Sequence, residues 1–308
     1  MNISPVSISL MQSQMLSSLM GPSIGAKNGD SWATTFPLLV SNSATTDPLS
    51  LGQLSSDPLS LLTQSSYINQ SGSIKSLSPA GRNMALADPE SAYKMMTVIN
   101  KDDVSYKAQF SELSQMKSSV FQMQDAGQGL GSIALSTGND SIKSQLQDFV
   151  GQYNSWIQRF NPDIQQGGLL ADTQAAQASR FELEQNVNNR FFGIKDGVHG
   201  LSDIGITIDP NTRLAAMDTA KLDSLLATNK QGVVDTVHEF SANFAKSASL
   251  LNSDGNFILK QLDNLNRAIH FIADNKASLQ AEFGTGNAAK PAGQVAQALA
   301  AYNQTYGA

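Results

Sequence analysis

Cysteine is absent from this 308-residue chain, and charged residues make up only 15% of it. The absence of cysteine excludes disulfides, thiolate metal ligands and cysteine nucleophiles, and it leaves the redox compartment open. The formal net charge is −6, without any block of basic residues, which argues against binding to nucleic acid or to anionic membranes. No run of about 18 apolar residues occurs, so no membrane insertion is expected.

Residues that could carry out catalysis or bind a metal are also few, since the chain has three histidines. His270 and Asp274 stand four residues apart and could share a metal on a helix, but a third ligand is missing. Asp203 and Asp209 bracket a predicted strand, and an aspartate before a proline is ordinary turn chemistry rather than evidence for acid–base catalysis. We therefore predict a protein that is not an enzyme, with no catalytic residue, no metal site and no cofactor.

A glycine cluster, Gly127-Gln-Gly-Leu-Gly131, is the nearest approach to a phosphate-binding loop. Such loops work at the N-terminus of a helix, where backbone N–H groups face the anion. This cluster follows a predicted helix instead of a strand, and no Gly-Lys-Ser/Thr completes it. We interpret it as a link between two helices.

The most regular apolar pattern lies in residues 254–283. Its members are spaced 4, 3, 4 and 3 residues apart, which predicts a helix whose seam suits a bundle or a coiled coil. The predicted seam contacts are Ile258, Leu262, Leu265, Ile269 and Ile272.

Earlier segments also carry helical spacing. Asp88-Pro89-Glu90 is a typical helix start, with a restart at Asp102 or Asp103 and an end near Gly127. The next helix begins at Asn139 or Asp140, and Asn161-Pro162 is expected to stop it.

A third helix is predicted from Asp172 or Thr173 to the glycines at 193 and 197, with Phe181 on its apolar face. Trp156 and Phe160 are assigned to the core. Phe191 and Phe192 are adjacent, so both cannot face one helix interior, and we predict that they contribute to a helix end or an interface.

Strand patterning is clear at one place only. Ile204, Ile206 and Ile208 alternate with smaller residues, Asp209-Pro-Asn-Thr212 supplies a turn, and 214–217 can return as a second strand. Asp218 or Thr219 then caps a leucine-rich helix. Because an isolated hairpin is marginally stable in water, this hairpin at 203–217 should pack against helices.

This stretch resembles the C-terminal region of flagellar hook-associated protein 2, the filament cap. The family's L-x-x-I-G-I strand matches Leu201 to Ile206, and its turn, return strand and Leu-rich helix match the segment from Asp209 to Asn229. Upstream, Phe149-Val-Gly-Gln-Tyr-Asn154 resembles the family's F-V-x-x-Y-N. Leu170-Ala-Asp172 resembles its L-x-G-D, with alanine in place of glycine. The three motifs stand in the family's order.

The resemblance implies a stalk without the distal domains. In the filament cap, those domains are inserted between the first stalk helix and the F-V-x-x-Y-N helix. Here the two helices are separated by some ten residues. The implied role is structural: self-association into a homo-oligomer through helix seams, with other flagellar subunits or an export chaperone as partners, at the flagellum or outside the cell.

Residues 1–82 form a low-complexity, mostly disordered arm in our interpretation, because scattered apolar residues cannot offset the entropy of ordering. Asp-Pro-Leu-Ser-Leu occurs twice in it, at 47–51 and 57–61. The first 26 residues carry no charge, which is typical of substrates of type III-type export as well as of plain tails.

The sequence thus predicts a mainly α fold. We expect an elongated helical bundle or coiled-coil stalk at 83–283, with a small β-hairpin, followed by a linker and short terminal helix at 284–308. The alternative function is an intracellular, cytoplasmic binding module, chaperone-like or regulatory, that uses the same fold.

Overall fold

A computed structural model describes residues 77–191 and 197–307. The described residues form seven α-helices and one two-stranded antiparallel sheet, which confirms the predicted mainly α fold with a small hairpin. The helices are α1 (Pro89–Gly129), α2 (Asn139–Ile164), α3 (Gln174–Asn188), α4 (Thr219–Thr228), α5 (Lys230–Leu251), α6 (Phe257–Phe283) and α7 (Gly293–Tyr306). The strands are β1 (Ile206–Ile208) and β2 (Ala215–Met217), and a single 3₁₀ turn (Leu130–Ser132) follows α1.

The chain divides into two compact units. Among the described residues, the first unit comprises 77–103 and 271–290, and the second comprises 104–191, 197–270 and 291–307. Most of the predicted N-terminal arm, residues 1–76, lies outside the described residues. Within the described ranges, no helix has the length and apolarity that a membrane span requires.

In the first unit, the C-terminal end of α6 is closed by a side chain. The amide of Asn83 donates to the carbonyls of Ala281 and Glu282, at 3.0 and 2.9 Å. The last carbonyls of a helix have no partner within the helix, so Asn83 supplies what the helix lacks. The backbone N–H of Thr285 adds a hydrogen bond to the carbonyl of Gly81, at 2.8 Å.

The second unit contains a continuous hydrophobic core to which α1, α2, α3, α5, α6 and the hairpin all contribute. Aromatic rings lie at its centre: Phe149 of α2 meets Phe240 and Phe244 of α5 edge to face, with 5.1 Å between centroids in both pairs. Trp156 and Phe160 are 3% and 1% exposed, so their assignment to the core is confirmed.

Two predicted helix boundaries are wrong for a physical reason. α1 continues through Asp102 and Asp103 without a restart, because an interior aspartate costs at most about 0.7 kcal/mol in helix propensity. α2 passes through Pro162 to Ile164. The turn that follows the proline contains Asp163 and Ile164, which are 3% and 1% exposed, so packing holds that turn although one hydrogen bond is lost.

The third helix also differs from its prediction. α3 ends at Asn188 rather than at the glycines beyond it, and Phe181 is 59% exposed rather than buried. Ser179 and Asn186 take interior places instead. Their side chains donate to carbonyls one turn earlier in the same helix, at 2.7 and 2.8 Å, which removes the cost of burying them.

Candidate functional site in the hairpin and the helix seam

The hairpin begins at a glycine that a larger residue cannot replace without strain. Gly205 has φ +99°, and a Cβ built on it would lie 2.7 Å from the carbonyl oxygen of Asp218. The Gly205 carbonyl accepts a hydrogen bond from the backbone N–H of Asp218 at 2.8 Å. The glycine of the I-G-I pattern therefore allows the start of one strand to lie directly against the end of the other.

Asp218 ends the hairpin and begins α4. Its carboxylate accepts from the backbone N–H of Lys221 at 3.0 Å, as the sequence predicts for an N-cap. Lys221 in turn donates from its ammonium to the carbonyl of Ser202 at 2.9 Å. The side chains of Asp218 and Lys221 thus connect the first turn of α4 to the loop that precedes the hairpin.

The edge of β2 that faces away from β1 forms hydrogen bonds with a side chain of α2. The amide nitrogen of Asn154 donates to the carbonyl of Ala215 at 2.9 Å, and its oxygen accepts from the N–H of Ala215 at 2.7 Å. Exposed strand edges invite pairing with other chains. The final asparagine of the F-V-x-x-Y-N pattern closes this edge and fixes the hairpin on α2.

The hairpin turn is held by one aspartate and one arginine. The carboxylate of Asp209 accepts from the backbone N–H groups of Thr212 and Asn211, at 2.7 and 2.8 Å, and these bonds lower its pKa. Arg213 has φ +62° and donates to Glu184 of α3 at 2.6 Å. Its guanidinium therefore anchors the turn to α3 from a backbone conformation that arginine seldom adopts.

The five residues predicted to form the helix seam are all buried within the single chain. Their exposed fractions are 0% for Ile258, 8% for Leu262, 4% for Leu265, 3% for Ile269 and 5% for Ile272. The first three belong to the core of the second unit. Such small exposed fractions leave little area for a second subunit to bury at these positions.

Of the two phenylalanines predicted at an interface, Phe191 is half-buried and packs against the core. Its backbone N–H donates to the carbonyl of His199 at 2.5 Å, and its own carbonyl lies 3.1 Å from Nδ1 of the same histidine. Phe192 lies outside the described residues. A role of this pair in an interface stays a prediction.

A charged cluster between α1 and α2 gives no signal in the sequence. Arg159 donates to Glu112 at 2.5 Å, to Gln115 at 2.9 Å and to Asp163 at 3.1 Å. The Glu112 and Asp163 side chains are 9% and 4% exposed. Burial raises the pKa of both carboxyls, and the attraction of Arg159 opposes that shift without cancelling it.

Asp203, one of the two aspartates considered for acid–base catalysis, is occupied in structural contacts. Asp203 pairs with Arg190 at 3.3 Å and accepts from the backbone N–H of His199 at 2.9 Å. His238 contacts the carbonyl of Ile133 through Nε2. Over 77–191 and 197–307, no three His, Asp or Glu side chains are grouped so that they could hold a metal ion.

The glycine cluster at the C-terminal end of α1 serves helix packing. A Cβ on Gly127 would lie 2.3 Å from Cδ1 of Phe244, so only glycine permits α1 and α5 to approach this closely. Gly131 faces the hydroxyl of Ser241 in a similar way, at 3.0 Å. A side-chain spacing pattern cannot reveal such a contact, because its partner lies more than a hundred residues away.

Comparison with known proteins gives two findings. The family model described as "Flagellar hook-associated protein 2 C-terminus" matches residues 119–289. A similar solved structure is that of the flagellar cap protein FliD, domains D1-D2-D3, from Escherichia coli. It is 21% identical, with a TM-score of 0.38, and the similarity covers 42% of this chain and 37% of that chain. No curated protein matches.

The family match runs from the C-terminal part of α1 to the linker after α6. It includes the Asn154 contact to the hairpin edge, the Gly205–Asp218 pair and the whole of α5 and α6. A match over more than half of the chain decides its family. The chain belongs to the flagellar hook-associated protein 2 family, through that family's C-terminal region.

Proposed function

We propose that this chain is a non-enzymatic structural protein of the bacterial flagellum, similar to the stalk of a filament cap. The observation that carries the proposal is the family match over 119–289. This range coincides with a folded core and with the contacts that fix the hairpin on α2. The solved relative is named a flagellar cap protein, and this chain spans 37% of its length, so the role proposed here is that of the stalk region.

The arrangement of titratable groups supports a structural role. Asp209 holds a turn, Asp203 holds the loop before the hairpin, and Arg159 joins α1 to α2. Each of these side chains has protein partners that a substrate would have to displace. The geometry therefore favours maintenance of a rigid framework over proton transfer to a bound molecule.

We further propose that the chain self-associates, and that other flagellar subunits or an export chaperone are its partners. The α6 seam stabilises the subunit itself in this proposal, because its five residues are at most 8% exposed. Association must then use surfaces outside the seam. Sedimentation analysis over a hundredfold range of protein concentration tests this, and a monomer throughout would overturn the homo-oligomer.

The proposed location is the flagellum, reached through type III-type export, with the uncharged residues 1–26 as part of the signal. A fusion of residues 1–40 to a passive reporter is produced in a flagellated host, with and without a working export apparatus. Residues 41–80 on the same reporter serve as a length-matched control. Reporter in the medium only for 1–40, and only with the apparatus, supports the proposal.

Retention of both fusions in the cytoplasm would overturn the signal assignment. Detection of the untagged protein then separates the two functions. Its presence in sheared filaments or in culture medium agrees with the flagellar role. Its restriction to the lysate of a motile culture favours the alternative, an intracellular helical binding module.

A further inference from the structure

Two buried carboxyl groups share one cation where the end of α2 lies against α1. Arg159 donates to Glu112 through one guanidinium nitrogen, at 2.5 Å, and to Asp163 through the other, at 3.1 Å. The Glu112 and Asp163 side chains are 9% and 4% exposed, whereas that of Arg159 is 43% exposed. We call the two carboxyl groups the carboxyl pair. If both were ionised, one negative charge would stay uncompensated in a site that is nearly closed to solvent.

Neighbouring elements do not supply the missing positive charge. Among the described residues, the charges that act on the carboxyl pair are those of Arg159 and of the pair itself. The residues three and four positions from Glu112 on α1 are uncharged. Arg180 of α3 donates to two uncharged side chains instead. The loop between α2 and α3 adds only a further carboxylate, the exposed Asp172, and α7 has no charged residue.

The carboxyl pair lies at a structurally weak point of α2. Pro162 has no backbone N–H, so the turn that contains Asp163 has lost one hydrogen bond. The carbonyl of Asp163 accepts from the N–H of Leu170 at 2.8 Å, which holds the following loop against the helix end. From α1, the amide of Gln109 donates to the carbonyl of Leu169 at 3.3 Å. The loop, the last turn of α2 and α1 therefore meet around the Asp163 side chain.

A single proton removes the charge imbalance. When one carboxyl of the pair is protonated, the other remains as a carboxylate that Arg159 neutralises, and no net charge is buried. Two carboxyl groups that share a site commonly hold a proton in this way, because both cannot ionise without cost. Burial raises the pKa of both groups, and Arg159 does not cancel that rise.

We propose that Glu112 and Asp163 bind one proton between them in the folded protein, and that this proton holds the 165–172 loop and the last turn of α2 against α1. When the proton is lost, a buried charge without a partner favours entry of water, and this segment opens while the core stays folded. The junction is thus a pH-sensitive device that is independent of the proposed flagellar role.

The direction of the pH dependence follows from the carboxyl pair. The ordinary pKa values of the two groups are 4.5 and 3.8, and both are raised in the folded protein. The contribution of the pair to stability is therefore complete below the ordinary values and is lost as the pH rises through the folded ones. The segment should be closed in mildly acidic solution and should open more often toward neutral and alkaline pH.

Hydrogen exchange of the full-length protein, followed by mass spectrometry from pH 4.5 to 7.5 and corrected for intrinsic rates, tests the proposal. The reporters are the amides of Gln165 and Leu170, which donate to the carbonyls of Asn161 and Asp163. Residues 233–244 in α5 are the internal reference. Protection of the reporters should fall at least about tenfold over this range relative to α5. A flat profile, or an equal fall in α5, would overturn the proposal.

Matched variants distinguish a shared proton from a merely structural hydrogen bond. Asp163→Asn and Glu112→Gln each remove one negative charge, so either one alone should make the profile flat and raise protection at pH 7.5. Asp172→Asn removes an exposed carboxyl from the same loop and should keep the wild-type profile. Because the two neutral variants lie on different helices, failure of one to fold leaves the other as the test.

A structural role alone would instead lower protection at every pH in Asp163→Asn. That result, or a wild-type pH dependence retained in both neutral variants, would overturn the shared proton. A flat profile in Asp172→Asn would do so as well, because it would assign the titration to the exposed carboxyl. None of these outcomes bears on the flagellar role, which the export experiment decides.

Discussion

The side-chain amide of Asn154 forms both a donor and an acceptor hydrogen bond with the backbone of Ala215, and so stands where a third strand would pair with the hairpin. A two-stranded sheet of three residues per strand has little stability of its own. Asn154 connects it to a 26-residue helix that carries much of the core.

We expect Asn154→Ala to lower the free energy of unfolding by about 1–3 kcal/mol, because it leaves the N–H and the carbonyl of Ala215 without their partner. Asn154→Asp should have a similar effect, since a carboxylate cannot donate to the carbonyl. Urea denaturation measures both, with Gln152→Ala at an exposed position of α2 as the control. An unchanged stability in both Asn154 variants, like that of the control, would contradict this role.

The glycines at the end of α1 offer a matched pair. Gly127→Ala should destabilise the protein by about 1–3 kcal/mol, because its methyl group meets the ring of Phe244. Gly129→Ala should stabilise it by up to about 1 kcal/mol, because that position has helical angles and open space around it. Thermal or urea unfolding of the two variants checks the sign of each change, and effects of the same sign would count against the close packing of α1 on α5.

Arg213 combines an unfavourable backbone angle with a favourable ion pair. Arg213→Gly should relieve roughly 1 kcal/mol of backbone strain and lose a partly exposed pair with Glu184 worth roughly 0.5–1 kcal/mol, so its net effect should be small. In a Glu184→Gln background the pair is already lost, so Arg213→Gly should be clearly stabilising. A double-mutant cycle by urea denaturation gives the coupling, and a coupling near zero would remove the anchoring role of the arginine.

The buried carboxyl of Glu112 predicts a pH dependence. Its folded pKa is raised, so between the unfolded pKa near 4.5 and the higher folded pKa the native state holds the extra proton. The contribution of Glu112 to stability is therefore largest below pH 4.5 and is lost as the pH rises through the folded value. The stability of the wild type relative to Glu112→Gln should fall from pH 4 to pH 7.

The control for that measurement is Glu90, whose pKa is lowered by its hydrogen bond with Arg82. Its contribution has the opposite sign, so the stability of the wild type relative to Glu90→Gln should rise over the same pH range. Urea denaturation at several pH values gives both slopes. A rising difference for Glu112→Gln would show that the attraction of Arg159 outweighs the burial of the carboxyl.

The α6 seam gives a prediction about the subunit itself. Leu265 is 4% exposed within the core, so Leu265→Ala should cost about 2–5 kcal/mol, and Ile269→Asp should be at least as damaging, since it buries a charge. Melting temperature and molar mass are measured together. Loss of the oligomer with an unchanged melting temperature would show that the seam lies between subunits instead.

Spacing in the sequence predicts the parts of the fold that depend on one face of one helix. Ile258 to Ile272 repeat every three or four residues, and each of the five is buried. The hairpin follows equally from the alternation of isoleucines and from the Asp209 turn. These features are local, so the sequence displays them directly.

The structural features that the sequence does not reveal depend on contacts with residues far along the chain. Phe181 is apolar yet exposed, and Ser179 is polar yet buried, because the face of α3 that turns inward is chosen by the helices it meets. The same is true of Arg159, whose partner Glu112 stands 47 residues away. Pairs of this kind form because α1 packs on α2. A short segment of sequence cannot predict them, because the two residues lie in different helices.

The link between α1 and α2 has a consequence for how such a protein changes in evolution. The N–H of Thr137 donates to the carbonyl of Ala134 at 2.9 Å, so the chain leaves the turn close to where it entered, with Leu135 and Ser136 exposed between them. Lys230 and His238 of α5 hold the base of this turn through the carbonyls of Thr137 and Ile133.

A folded domain whose own ends are adjacent can be spliced between Leu135 and Ser136 without drawing the two helices apart. The entropic cost of closing a surface loop grows only slowly with the length of the loop. The free energy of unfolding of the helical core would therefore change little when such a domain is inserted or removed. A single insertion or deletion in the gene could therefore change the outer size of the molecule and leave the buried residues Leu130, Ile133 and Ile142 in the same packing. This turn is therefore a position at which a whole domain can be inserted or removed while the packing of α1, α2 and α5 next to it is unchanged.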